Sequence, residues 1–144
     1  MTINQLSIFI ENRSGTLVKV LDILKQSGIQ IIASTIADTA EYGIYRLICS
    51  EPSRAYQELK NAGVAVALSD VFALELDNEP GKAADAVRII SDADISITYM
   101  YTFLWGGKGI LIFRTDQTEK AHDVILQHHL SFIDENDLAG GGKN

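Results

Sequence analysis

Short alternations of apolar and polar residues give way, in a regular order, to apolar stripes of helical period. In QLSIFI, residues 5–10, Leu6, Ile8 and Ile10 alternate with Ser7 and Phe9, which predicts a strand. TLVKVLDILKQS, residues 16–27, sets Leu17, Val20, Leu21 and Leu24 at i, i+3, i+4 and i+7. Gly28 follows as a stop, so the stretch predicts a helix. QIIASTIADT and YGIYRLICS are rich in β-branched and aromatic residues and read as a hairpin turning at Ala40-Glu41. Pro52-Ser53 then opens a second helical stripe of Ala55, Tyr56, Leu59 and Ala62, ended by Gly63, and VAVAL, residues 64–68, supplies a short fourth strand.

The same order recurs. VFALEL, GKAADAVRIISD, ISITYMYTF, GILIFRT, TEKAHDVILQHH and LSFID repeat strand, helix, strand, strand, helix, strand. Asn78 follows Asn12 by 66 residues, and Gly81 follows Gly15 by the same 66. At this offset Leu6, Ile8 and Ile10 fall on Phe72, Leu74 and Leu76, and Gly43-Ile44 falls on Gly109-Ile110. A repeat this long exceeds the short solenoid periods and predicts two small globular units. The expected fold is α+β: two ferredoxin-like βαββαβ units, each an antiparallel sheet with helices on one face. The expected domains are residues 1–70 and 71–137, tightly joined, with the glycine-rich tail 138–144 disordered.

Units of this size bury only about 60% of their unfolded surface and are marginal alone. The sheets also look apolar on both faces. Ile44 and Ile48 oppose Tyr45, Leu47 and Cys49, and Ile110 and Ile112 oppose Leu111 and Phe113. Helices cover one face, so a homodimer is the economical way to bury the other. The repeats differ most in the second strand, where Ala33, Thr35 and Ala37 match Tyr99, Tyr101 and Phe103. That stripe is expected to pack across an inter-domain or inter-subunit surface; the alternative is that one or two rings line a ligand pocket.

Composition narrows the function. With 47% hydrophobic and 22% charged residues the chain is that of an ordinary globular protein. A net charge of -7 opposes binding to a phosphate backbone, so no nucleic-acid partner is expected. No apolar run is long enough to span a bilayer and MTINQ lacks the features of a signal peptide, so no membrane association and a cytoplasmic location are expected. The single Cys49 lies within an apolar run and reads as a core thiol. His122, His128 and His129 sit on one late helix and read as an exposed helical surface rather than metal ligands. No metal, cofactor or catalytic residue is expected.

The candidate chemistry lies in the repeated loop, ENRSGTL and DNEPGKA. In each a glycine stands where a strand hands over to a helix. Glycine lets backbone approach a ligand closely, and the helix start offers unpaired amides that suit a carboxylate. Pro80 is placed to preset the first helical turn, and Ser14 to satisfy an orphan amide. Asn12 and Asn78 can both donate and accept, so either can grip the ammonium and carboxylate of an amino acid. The same pattern also makes a good turn and cap without any ligand.

A strand, a loop of the D/N-x-P-G-x-L type and then α-β-β-α-β resembles the ACT domain, and this chain resembles two in tandem. ENRSGTL with GIQI is similar to the ACT module of serine-regulated 3-phosphoglycerate dehydrogenases. The resemblance implies a regulatory fold that binds amino acids between ACT units, with loop residues on the head group and the residue opening the second strand reaching in from a neighbouring unit. Carried over by position, the contacts are Asn12, Arg13, Ser14, Gly15, Thr16 and Leu17 with Gln30, and Asn78, Glu79, Pro80, Gly81, Lys82 and Ala83 with Ser96. Ser14 stands where the family usually has proline, and Lys82-Ala83 replaces a small residue and Leu, so the two sites need not be equivalent.

Three rivals share parts of this pattern. The metal-dependent βαβββ repeats need a His and carboxylates spread over several strands, RNA-recognition modules need a basic surface, and acylphosphatases need a phosphate loop missing from this sequence. The expectation is a stand-alone amino-acid sensor with no catalytic domain, acting on an enzyme in trans, or else an interaction module that binds no small molecule. The tyrosine-rich strand favours a planar or aromatic ligand and the serine-type loop a small polar one.

Overall fold

The computed structural model describes residues 1–11, 15–38 and 42–139. Its elements are β1 (Thr2–Glu11), α1 (Thr16–Gln26), β2 (Ile31–Asp38), β3 (Tyr42–Cys49), α2 (Pro52–Asn61), β4 (Val66–Leu76), α3 (Lys82–Asp92), β5 (Tyr99–Trp105), β6 (Lys108–Arg114), α4 (Thr118–Gln127) and α5 (Glu135–Ala139). They form two compact units, Asn4–Ser69 and Met1–Ile3 with the chain from Asp70 onward. The turn expected at Ala40-Glu41 lies outside the described residues.

In the first unit β3 lies between β1 and β2, antiparallel to both, with Leu6 opposite Leu47 and Ser34 opposite Leu47. The Phe9 N–H donates to the Ala65 carbonyl at 2.9 Å, which brings the stretch before β4 to the free side of β1. Strand alternation points Leu6, Ile8, Tyr45, Leu47 and Cys49 to one face. There they meet Val20 and Leu24 of α1 and Ala55 and Leu59 of α2 in one buried cluster. Cys49 is thus a buried thiol of that core.

The second unit repeats this plan. β6 lies between β4 and β5, again antiparallel. Phe72, Leu74, Leu111 and Phe113 face Ala86 and Ile90 of α3 and Ala121, Val124 and Ile125 of α4. The Phe72 and Phe113 rings stack with centroids 5.1 Å apart. The result is the α+β, ferredoxin-like, antiparallel arrangement with helices on one face that the repeat predicts.

Several boundaries differ from the sequence pattern, each for a local reason. VAVAL and VFALEL are not two strands: β4 runs unbroken through Ser69-Asp70. β5 starts at Tyr99 rather than Ile95, because Gln117 straps the residues before it. Its Nε2 donates to the Asp94 carbonyl at 3.0 Å and its Oε1 accepts from the Ser96 N–H at 2.9 Å. LSFID forms an isolated bridge at Phe132, held by Glu75 N–H to Ser131 and Ile133 N–H to Ala73. The chain then turns away, because Asp134 and Asp137 cap one another's backbone at 2.8 and 3.1 Å and start α5. Leu138, expected in a disordered tail, is buried in that helix; residues 140–144 lie outside the described residues.

The face opposite the helices is less bare than the sequence suggests. Ile48, Ile110 and Ile112 are fully buried within the single chain. Of the large apolar side chains that stay exposed, Phe9 on β1 lies on that face, whereas Ile36 on β2 and Met100 and Leu104 on β5 lie on the helix side of their outer strands.

Candidate functional site

Gly81 sits between β4 and α3 with φ +88°, the left-handed region where a side chain is strained. It is the N-cap of α3, and glycine carries no capping side chain. Pro80 therefore precedes the cap instead of presetting the first turn. The Lys82 N–H reaches the Glu79 carbonyl only at 3.4 Å, and the Asp85 N–H closes the first helical bond to Gly81. The amides between them, on Ala83 and Ala84, point out of the positive end of the helix.

A cavity of about 350 Å³ opens beside this helix start. Of the predicted residues, Asn78, Glu79, Lys82 and Ala83 line it; Pro80 and Gly81 shape the turn without lining it. The rest of the wall is Leu76 and Asp77 from the end of β4, Thr102, Phe103 and Leu104 from β5, and Gly109 and Ile110 from β6. Of the aromatic stripe Tyr99, Tyr101 and Phe103, only Phe103 takes part.

Asp77 and Lys108 form an exposed ion pair at 2.8 Å at this end of the sheet. The hydrogen bond from Lys108, reinforced by its charge, holds the Asp77 carboxyl below the ordinary carboxylate range. The same bond and charge raise Lys108. The cavity thus has cationic and amide donors at Lys82 and the helix start, carboxylates at Asp77 and Glu79, a two-way amide at Asn78, and an apolar wall. Those groups suit a small zwitterion with a side chain: donors for a carboxylate, carboxylates for an ammonium, and apolar surface for the remainder.

Ser96 is not part of this cavity. It lies beyond the far end of β5, where its N–H is tied to Gln117. Sequence reasoning raised Phe103 only as the alternative reading of the aromatic stripe, and missed Asp77, Thr102, Leu104 and the β6 contribution, because Lys108 meets Asp77 through strand pairing that a linear pattern does not encode.

In the first unit Asn12, Arg13 and Ser14 lie outside the described residues. Gly15 repeats the left-handed N-cap, with φ +93°. The Thr16 hydroxyl donates to the Glu11 carbonyl at 2.9 Å, and Leu17 packs on the first core. Thr16 also lines a smaller cavity of about 240 Å³ with Glu11, Lys19 and Val64. Gln30 is held at the opposite end of β2, its N–H on Ser50 Oγ at 3.0 Å. Within neither unit, therefore, is the residue expected to open the second strand brought to its own loop.

A larger cavity, about 550 Å³, opens beside the start of α4 between Met1, Thr2, Phe72, Thr118, Glu119, His122 and Asp123. Among the described residues, none of the repeated loop lines it. Of the three histidines only His122 lies within α4; His128 is its C-cap and His129 follows. Among the described residues no cluster of His, Cys, Asp or Glu is placed to hold a metal ion, and no helix is long and apolar enough to cross a membrane.

The family model described as an ACT domain pair matches residues 1–140. A solved structure of a protein from Bacteroides thetaiotaomicron is 34% identical, with 96% of each chain covered and a TM-score of 0.90. The ligand-free regulatory subunit of aspartate kinase from Thermus thermophilus is 16% identical, covering 86% of this chain and 91% of its own, at a TM-score of 0.61. That from Thermus flavus is 17% identical, with 88% and 92% covered, at 0.57. At such identities the two kinase subunits share the fold. No curated protein sequence matches the chain.

Proposed function

The chain belongs to the ACT domain pair family, and we propose that it is a non-catalytic regulatory module that binds a free amino acid at the loop between β4 and α3. The observation that carries this reading is the cavity at that loop, where helix-start amides and Lys82 stand beside carboxylates and an apolar wall. Asn78, Lys82 and the amides of Ala83 and Ala84 take the ligand carboxylate. Glu79 takes the ammonium, while Leu76, Phe103, Leu104 and Ile110 meet the side chain. The equivalent loop Asn12–Leu17, with Arg13, Ser14, Gly15 and Thr16, is a second site of the same kind. Gln30 and Ser96 serve a loop of another unit, since each is held away from its own.

The output follows from linkage. The protein acts as a cytoplasmic homodimer, and a ligand that binds one arrangement of its units more tightly than another shifts the balance between them. An enzyme in trans reads that shift. The regulatory subunits of aspartate kinase from two Thermus species share the fold, which supports a regulatory role without naming the ligand.

A thermal-shift screen against the twenty amino acids tests the reading. A ligand at 100 times its Kd stabilises the folded state by about 2.7 kcal/mol, or roughly 5–10 °C for a chain of this size. A shift confined to one or two amino acids and removed by Asn78→Ala is the expected result. If none of the twenty shifts the melting point, the loop is a turn and cap only.

A further inference from the structure

Gly109 is a glycine that the fold does not require. It lies in β6, paired with Leu76 of β4 on one side and Leu104 of β5 on the other, and both ladders pass it in unbroken register, so no bulge explains it. Its φ lies outside the left-handed region, in contrast to Gly106 and Gly107 of the preceding hairpin, at +62° and +79°. A Cβ added to Gly109 would meet the Leu76 carbonyl oxygen at 3.7 Å and the Leu76 Cβ at 3.9 Å, which are ordinary contact distances. Glycine weakens a strand interior. Where it marks neither a bulge nor the close approach of another backbone, the remaining reason for it is the approach of a ligand.

Strand alternation puts Gly109 on the helix side of β6, the side of the core residue Leu111. The row across the sheet at this level reads Leu76, Gly109, Leu104, a notch one side chain wide between two leucines. All three line the cavity beside the start of α3. Ala83, on the first turn of α3, lines it too and is equally short. Its counterpart 66 residues earlier is Leu17, which packs on the first core, so the second unit lacks a side chain there that the first one has. Gly43 repeats Gly109 at the same offset, opposite Ile10 of β1, and the atoms nearest to an added Cβ are again no closer than 3.5 Å.

The walls of the notch define what it can hold. The side chains of Leu76 and Leu104 carry no polar atom, and Asp77 at the mouth is engaged by Lys108 at 2.8 Å. A charged side chain placed in the notch would lose water without gaining a partner. An uncharged one gains apolar contact on both sides.

We propose that Gly109 is the floor of the ligand's side-chain subsite and that, together with Ala83, it selects an amino acid whose side chain is uncharged and extends beyond Cβ. The inference rests on the amino-acid binding proposed above and adds the residues that set the size and polarity of the ligand. Glycine or alanine leaves the notch empty and forgoes its contacts.

Two variants of the full chain test the subsite, each titrated calorimetrically with the twenty amino acids one at a time. Gly109→Ala raises the floor by one methyl group, and Ala83→Leu copies the first unit's residue into the second. Each is expected to weaken binding of the responding amino acid at least about tenfold, the effect of a methyl-sized misfit in an apolar site. The unliganded melting point of Gly109→Ala is expected to hold or rise, because alanine suits a strand better than glycine and restricts the unfolded chain. Weaker binding in a fold that is no less stable separates a subsite from a structural glycine, whose replacement lowers the melting point. If no amino acid binds the wild type, the amino-acid reading fails and the subsite with it. If one binds and either variant keeps its Kd, or Gly109→Ala lowers the unliganded melting point, the subsite alone is overturned. A response confined to glycine, alanine or a charged amino acid overturns the selection.

Discussion

His129 stands 66 residues after Gly63 and takes up the same left-handed backbone, φ +54° against +82°, at the same step past a helix end. In each case the next N–H returns to the helix: Val64 to the Leu59 carbonyl at 3.0 Å, Leu130 to the Ile125 carbonyl at 3.0 Å. Asp94 and Gly28 form a second such pair, φ +61° and +69°, after α3 and α1. The first unit thus ends its helices on glycine, and the second ends them on residues that carry a Cβ.

Gly63→Ala is therefore expected to cost about 1–2 kcal/mol, the penalty of a left-handed L-residue. No atom lies within 4 Å of the Cβ it would add, so the whole cost is conformational. The reverse change, His129→Gly, is expected to gain less, because glycine also loosens the unfolded chain. Urea midpoints of the two variants check both signs.

Asp77 and Lys108 predict a pH dependence with two limits. The lowered Asp77 contributes stability above the ordinary carboxylate range, which is lost as pH falls through its folded value. The raised Lys108 contributes below the ordinary lysine range, and that is lost as pH rises through its folded value. Both groups are exposed, so added salt should weaken the effect. Denaturation midpoints of wild type and Lys108→Met should differ near neutrality and converge in acid.

If Lys82 meets the ligand carboxylate, Lys82→Met should weaken binding by roughly 10- to 100-fold, since a hydrogen bond to a charged group contributes roughly 1.5–3 kcal/mol. Isothermal titration with the amino acid found in the screen measures it. An unchanged Kd would remove Lys82 from the site and leave the helix amides as the anion contact.

α5 depends on the reciprocal contacts of Asp134 and Asp137. Asp137→Ala removes one cap and is expected to cost about 1 kcal/mol. The loss should be local, read as faster hydrogen exchange around Leu138 with little change in the sheet cores.

Much of this fold is legible from spacing alone. Leu17, Val20, Leu21 and Leu24 mark α1 because helix period and core burial select the same positions, and the 66-residue offset then carries the reading to α3. The glycine at each helix start is legible for the same reason: Gly15 and Gly81 share a backbone conformation few other residues adopt. Ser69-Asp70 looks like a break because polar residues usually mark loops, yet alternation continues through it and β4 stays whole. The start of β5 was hidden because Gln117, more than twenty residues away in sequence, holds Asp94 and Ser96. Asp77 escaped notice among the site residues for a similar reason, since its partner Lys108 is reached only through the β4 and β6 register.

The burial of Cys49 gives the molecule an internal clock. It is the chain's one thiol, 2% exposed and packed in the first unit's core. A thiol reagent can reach it only when that core opens, so its labelling rate reports the opening equilibrium of the first unit. The second unit has no cysteine and is silent in the same assay. The cohesion of one half of the repeat can thus be followed in the intact chain, with and without ligand on the other.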